Sequence, residues 1–191
     1  MDVNPAEVEA RIADCLESGD FRRAAEESVR GYGAEVAAYL RAVLHEEEAA
    51  DEVFSRVCEK LWRGLPAFHR RSSLRTWLYR LAWNGALDFQ KEKARSLSRP
   101  LRSTEISAIA AEIAASRPRI ERSSFADAFA RIRESLDPQE QTLLTLHFHA
   151  GLTWKEIGEV VGREPAALRK AFERLKSRLR RQAEAAGLFR R

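Results

Sequence analysis

At 191 residues, 45% apolar and 32% charged, the chain has room for one or two domains, each with its own core. No apolar run reaches the roughly 18 residues of a membrane-spanning helix, and Cys15 and Cys58 lack any zinc-type spacing and read as buried thiols on apolar helix faces. The net charge of +4 divides unevenly: residues 1–63 carry 15 acids and 8 bases, residues 64–191 carry 14 acids and 25 bases. A basic C-terminal two-thirds suggests a polyanionic partner, and an acidic N-terminal third suggests a protein partner.

The first residues, MDVNPAEVEARIADCL, place acids early and hold no apolar signal-peptide stretch, so the expected location is the cytoplasm. Val8, Ile12, Cys15 and Leu16 predict a short amphipathic helix over 6–17, closed by Ser18-Gly19. Asp20 caps a second helix that is expected to stop near Gly31 and Gly33. A third should run from about 34 to 45. The fourth, 48–63, has the stripe Ala50, Val53, Phe54, Val57, Cys58, Leu61 and Trp62. Its other side is mostly acidic, with Asp51, Glu52, Ser55, Arg56, Glu59 and Lys60.

Ser73 caps a fifth helix, 74–93, whose buried stripe is Leu74, Trp77, Leu78, Leu81 and Leu87. Off that stripe lie Arg75, Thr76, Tyr79, Arg80, Trp83 and Asn84. Tyr79 and Trp83, four apart, share a surface. Aromatics among arginines suit stacking on unpaired bases with phosphate neutralisation, though two aromatics can equally complete a core.

Over residues 96–123 alanine and serine replace large apolar residues, with Arg99-Pro100 and Arg117-Pro118 as punctuation; the segment reads as a linker, with Ile106, Ile109 and Ile113 spaced for a short helix. A helix carrying Phe125, Ala128, Phe129, Ile132 and Leu136 opens a second domain. Asp137-Pro138-Gln139-Glu140 starts the next, which carries Leu143, Leu144, Leu146 and Phe148 towards Gly151. Residues 151–180 then read as a helix-turn-helix. Thr153 and Glu156 form a capping box, Ile157, Val160 and Val161 an apolar face, Gly162 a left-handed stop and Pro165 a new start. In the second helix Leu168, Ala171, Phe172, Leu175 and Leu179 face inward. Arg163, Ala166, Lys170, Glu173, Arg174 and Ser177 face outward. Two helices joined by a tight turn, the second basic, fit a major-groove reader. A helical hairpin with a solvated charged face is the plainer alternative.

Enzyme chemistry finds no support: there is no phosphate-cradling glycine loop and no nucleophile elbow, and His147 and His149 point to different helix faces. No cofactor or metal is expected.

Residues 51–90, DEVFSRVCEKLWRGLPAFHRRSSLRTWLYRLAWNGALDFQ, resemble the second conserved region of extracytoplasmic-function sigma factors of bacterial RNA polymerase. The segment SSLRTWLYRLAWNGALD, 72–88, carries most of the likeness. Residues 136–180 are similar to that family's fourth region, and Ser18-Gly19-Asp20-Phe21 to the opening of its first helices. The resemblance covers most of 8–182. It implies an all-α chain of two small helical domains, 1–95 and 124–191, joined by a flexible linker over 96–123.

The same resemblance implies how the work is divided. Asp51, Glu52, Ser55 and Arg56 would dock on core RNA polymerase, although many members carry Gln followed by an acid where this chain has Ser55-Arg56. His69, Arg70, Arg71, Tyr79, Arg80, Trp83 and Asn84 would open the minus-ten element and hold its single strand. In members of the family that loop usually holds Gly and an acid. Arg163, Ala166, Ala167, Arg169, Lys170, Glu173 and Arg174 would read the minus-thirty-five element in double-stranded promoter DNA. An anti-sigma factor is an implied partner; membrane insertion, catalysis and a cofactor are not implied. Two other readings compete: a free-standing helix-turn-helix regulator, and an interaction protein with a solvated basic face.

Overall fold

The computed structural model describes residues 4–97 and 135–186. Every regular element among them is helical, as expected: α1 (Pro5–Glu17), α2 (Phe21–Leu44), α3 (Glu47–Gly64), a 3-10 turn (Leu65–Ala67), α4 (Leu74–Leu97), α5 (Pro138–Leu144), a π-helical turn (Thr145–His149), α6 (Trp154–Val161) and α7 (Pro165–Ala185). The linker expected over 96–123 and the helix expected to begin at Phe125 lie outside the described residues, apart from the last two residues of α4 and residues 135–136.

Helices α1 to α4 bundle around Val8, Ile12, Val36, Leu40, Val53, Val57, Leu61, Leu74 and Leu78, all at most 2% exposed. One expectation fails here. The second and third predicted helices are a single α2 that passes through Gly31 and Gly33 without a break. Their role is packing: a Cβ on Gly31 would stand 2.5 Å from Val8 Cγ1, so the glycine lets α1 lie close against α2. Close approach outweighs the propensity cost of a mid-helix glycine. The helix ends instead at His45, a left-handed residue with φ of 59°.

The predicted caps form. Asp20 accepts the Arg23 N–H, and Asp137–Glu140 and Thr153–Glu156 are complete capping boxes. The start of α4 is capped twice over. Ser73 Oγ accepts the Thr76 N–H at 3.1 Å, and the Glu9 carboxylate on α1 accepts the N–H groups of Leu74 and Arg75 at 3.1 and 2.9 Å. An anion on a helix N-terminus meets both free donors and the positive end of the dipole, so α1 fixes where α4 begins.

Two aromatics placed on apolar stripes face solvent: Trp62 is 49% and Phe148 65% exposed. Phe148 is turned outward in the π-helical turn, where the expected continuous helix changes pitch while Leu146 stays buried. Cys15 is buried and Cys58 half-buried, both as free thiols, with burial pushing the Cys58 thiol up.

Helices α5, α6 and α7 form the C-terminal unit. It meets the first along a seam in which α6 lies across α4 and α5 lies against α2. Leu143, Leu146, Leu152, Ile157 and Val160 continue there the core that includes Tyr39, Tyr79 and Trp83.

Candidate nucleic-acid interface

The outer face of α3 offers Asp51 and Glu52, both exposed. Ser55 spends its hydroxyl on the Asp51 carbonyl within the same helix, at 3.0 Å. Arg56 bridges two acids, donating to Glu52 at 2.6 Å and to Glu92 of α4 at 3.1 Å. The front expected to be acidic is therefore partly neutralised, and a charged seam joins α3 to α4. Lys60–Asp88 at 3.9 Å extends it, and Lys93 pairs with Glu46. Reading the sequence helix by helix missed this seam, because its partners lie more than 25 residues apart.

In the loop before α4, His69 and Arg71 are exposed. Arg70 is not free. Its guanidinium donates to Glu17 and to the Ala13 carbonyl of α1, each at 2.8 Å. Its backbone sits at φ of 53°, a left-handed conformation that a non-glycine residue adopts only at some cost.

The four α4 residues proposed to meet the single strand split into two pairs. Arg80 and Asn84 are exposed, as expected. Tyr79 is 1% and Trp83 6% exposed, so the shared surface predicted for these rings is covered. Tyr79 stands edge-on to Tyr39 with ring centres 5.7 Å apart, and the Arg75 guanidinium lies 5.7 Å from its ring centre. Burial first, and then the nearby Glu35 charge, push its phenol up. Trp83 lines a small cavity with Gln139, Leu143, Val161, Arg163 and Leu168, all from the C-terminal unit. Sequence periodicity finds a helix's apolar stripe but not a second, discontinuous surface that covers its other side. Helix α4 is buried on both.

The helix-turn-helix is built as its residues predict. Gly162 is left-handed at φ of 69°, and the N–H groups of Gly162 and Arg163 both donate to the Gly158 carbonyl, at 2.9 and 3.1 Å. Gly158, which the motif reading passed over, is essential to this turn: a Cβ there would meet the Arg163 carbonyl oxygen at 2.7 Å. A glycine inside a short amphipathic helix was the available signal. Leu168, Phe172 and Leu175 are buried, while Ala166, Ala167, Arg169, Lys170, Glu173 and Arg174 share the exposed side of α7 and Arg163 stands exposed in the turn. Glu173 is held by Lys176 at 3.2 Å. Arg169, Lys170 and Arg174 form no ion pair among the described residues, leaving three cations available to an anionic ligand. Glu140 of α5 pins Arg178, one turn further on, at 2.5 Å.

Among the described residues no group of three or more His, Cys, Asp or Glu could hold a metal ion, and no helix is long and apolar enough to cross a membrane.

Residues 29–96, which span α2 to α4, match the family model Sigma-70 region 2. Residues 137–183, which span α5 to α7, match the model Myb-like DNA-binding domain. Nothing among curated proteins matches the chain. Two solved structures share its fold. One is CnrH in complex with the cytosolic domain of CnrY: 20% identity, 93% of this chain and 97% of that chain covered, TM-score 0.63. The other is the sigma factor RpoE in complex with the anti-sigma factor NepR from Bartonella quintana: 12% identity, 83% and 96% covered, TM-score 0.61.

Proposed function

We propose that this chain is a sigma factor of the extracytoplasmic-function kind, with sigma-70 region 2 on α2 to α4, and that its parts divide the initiation of transcription between them. Residues 1–95 bind core RNA polymerase and the minus-ten element, residues 96–123 connect, and residues 124–191 bind the minus-thirty-five element. The chain places the polymerase on a promoter and helps to melt it. This role asks no catalysis of the chain and no metal or nucleotide of its own, and it places the protein in the cytoplasm.

Asp51 and Glu52 supply an anionic front for a basic surface of the polymerase, with Arg56 setting its charge pattern through Glu52 and Glu92. Such complementarity speeds and orients docking. Arg80 and Asn84, with His69 and Arg71 of the loop, meet the opened strand at the rim of α4. Tyr79 and Trp83 lie beneath them and reach a flipped base only once uncovered; extracting a base costs a few kcal/mol, which aromatic stacking repays. Arg169, Lys170 and Arg174 neutralise phosphates, while Ala166, Ala167 and Glu173 are short or acidic enough to read base edges. An anti-sigma factor, the kind of partner named for RpoE, is a regulator that this fold accommodates.

The observation that carries the reading is the region 2 match in one chain with a helix-turn-helix whose Arg169, Lys170 and Arg174 form no ion pair among the described residues. Reconstitution with core polymerase tests it. The chain should co-purify with core and support transcription from a subset of genomic fragments. A chain that binds those fragments equally well alone and never associates with core would be a free-standing regulator instead.

A further inference from the structure

Residues 68–73, between the 3-10 turn and α4, form no regular element, and much of what holds them comes from α1. At the far end of this loop the Glu9 carboxylate accepts the Leu74 and Arg75 N–H groups, supplying the anion that the first turn of α4 lacks. The Tyr32 hydroxyl of α2 donates to the same carboxylate at 3.1 Å and steadies it. At the near end Phe68 stacks on Trp77, with ring centres 4.8 Å apart. Between them Arg70 reaches back to α1 and donates to Glu17 and to the Ala13 carbonyl, each at 2.8 Å. The last turn of α1 carries no basic residue, so Arg70 brings it a cation from 53 positions away. Arg70 also holds a left-handed φ of 53°, which persists in a non-glycine residue only where its surroundings over-determine it. His69 and Arg71, on either side, are exposed. Pinning the backbone at residue 70 therefore fixes how both of them are presented, as a scaffold does for a binding loop.

We propose that Glu17 is a positioning residue for base choice in the opened strand. It acts through Arg70, which is a tether to α1 and not a DNA contact, and it holds His69 and Arg71 in the geometry that discriminates between bases. The proposal rests on the reading of this loop as part of the minus-ten contact. Glu17 lies outside residues 29–96, the stretch that matches region 2, so α1 tunes the reading loop from beyond that match. The Arg70 and Glu17 side chains are 42% and 68% exposed, so the pair adds little to stability and its weight falls on the loop's conformation.

The test uses the full chain with Glu17→Ala and Arg70→Gly, singly and together, each reconstituted with core polymerase. Glycine suits the left-handed position of Arg70 and Glu17 is exposed, so the variants should fold; a thermal melt of the free chain checks this. The probe is a genomic fragment transcribed by the wild type, with its minus-ten bases randomised. Sequencing the DNA held in heparin-resistant open complexes ranks the bases at each position. Glu17→Ala should shift the preference between two bases about threefold at one position or more, the scale of an exposed ion pair, with core binding unchanged in a pull-down. Once residue 70 is glycine, Glu17→Ala should add nothing, because its route to the loop is gone. Glu26→Gln, which removes an acid paired with Arg22 on α2, is the control and should leave the ranking as in wild type. A uniform loss across all sequences, or no change with Glu17→Ala, overturns the positioning role. So does a Glu17→Ala effect that survives undiminished in the Arg70→Gly chain. His69→Ala with Arg71→Ala tests the reading beneath it. If that variant also leaves the ranking untouched, the fault lies in assigning the loop to the opened strand rather than in the tether.

Discussion

Arg75 on α4 grips Glu35 on α2 with two parallel bonds, Nε to Oε1 and Nη2 to Oε2, both at 2.7 Å. With side chains only 17% and 32% exposed, the pair is sheltered, and the hydrogen bonding holds the guanidinium above its usual pKa. Lysine would keep the charge but lose the fork and the reach to the Ala150 carbonyl. Arg75→Lys should therefore cost about 1.5–3 kcal/mol, read as a lower urea midpoint with an unchanged slope. An unshifted midpoint would show that the fork adds nothing beyond charge.

All three tyrosines, Tyr32, Tyr39 and Tyr79, have phenols pushed up, in each case chiefly by burial. The native state thus holds protons that the unfolded chain releases near pH 10. Their contribution is fully present below pH 10 and is lost progressively as pH rises from there towards the raised native values. Absorbance at 295 nm should show little tyrosinate until the protein unfolds, and the loss of circular dichroism should coincide with it. Tyrosinate appearing near pH 10 in a still-folded protein would contradict this burial.

Trp83 and Asn84 are adjacent in sequence and opposite in setting, the first 6% exposed and the second open to solvent. Trp83→Ala should cost about 3–5 kcal/mol as a core truncation. Asn84→Ala should leave stability within about 0.5 kcal/mol, yet reduce strand opening in a permanganate footprint while a polymerase pull-down is unaffected. Loss of the pull-down with Asn84→Ala would move that residue out of the DNA-facing set.

These contrasts show where sequence reading reaches its limit. Apart from Gly158, the helix-turn-helix was legible because its signals are local: a capping box, a left-handed glycine and a proline start within fourteen residues, Thr153 to Ala166. Most of the α1–α4 stripes were legible for the same reason, but Gly31 read as a stop while its job is to admit Val8, Trp62 faces solvent from the α3 stripe, and Tyr79 and Trp83 are buried off the α4 stripe. Three features needed coordinates. Arg56 lies 36 residues from Glu92, Arg70 lies 57 from Ala13, and Tyr39 lies 103 from Thr142. No periodicity encodes those meetings, so the covering of Trp83 and the tethering of Arg70 were invisible.

Gly158 offers a test of the motif's geometry. Alanine in a helix ordinarily stabilises by about 1 kcal/mol relative to glycine. Here its Cβ would press on the Arg163 carbonyl oxygen at 2.7 Å, in a turn closed by the Gly162 and Arg163 N–H groups donating to the Gly158 carbonyl. Gly158→Ala should destabilise by about 1–3 kcal/mol and weaken duplex binding, because it re-aims α7 against α6. Polymerase association through α3 should survive. A more stable, fully DNA-competent variant would mean that the turn is looser than its hydrogen bonds imply.

The upstream contact should reveal itself through salt. Lys170 and Arg174 are exposed and unpaired among the described residues, so each can displace condensed counterions from a duplex without first breaking an ion pair. Each phosphate neutralised contributes roughly 0.9 to the slope of log affinity against log salt. The double variant Lys170→Ala, Arg174→Ala should weaken binding to promoter duplex and flatten that slope by about 2. Glu173, already held by Lys176 and of the wrong sign for phosphate, provides the contrast. Glu173→Gln should change which sequence is preferred and leave the slope within about 0.5, since a base-edge contact releases no counterion. A slope unmoved by the double variant would place the phosphate-binding face of α7 elsewhere.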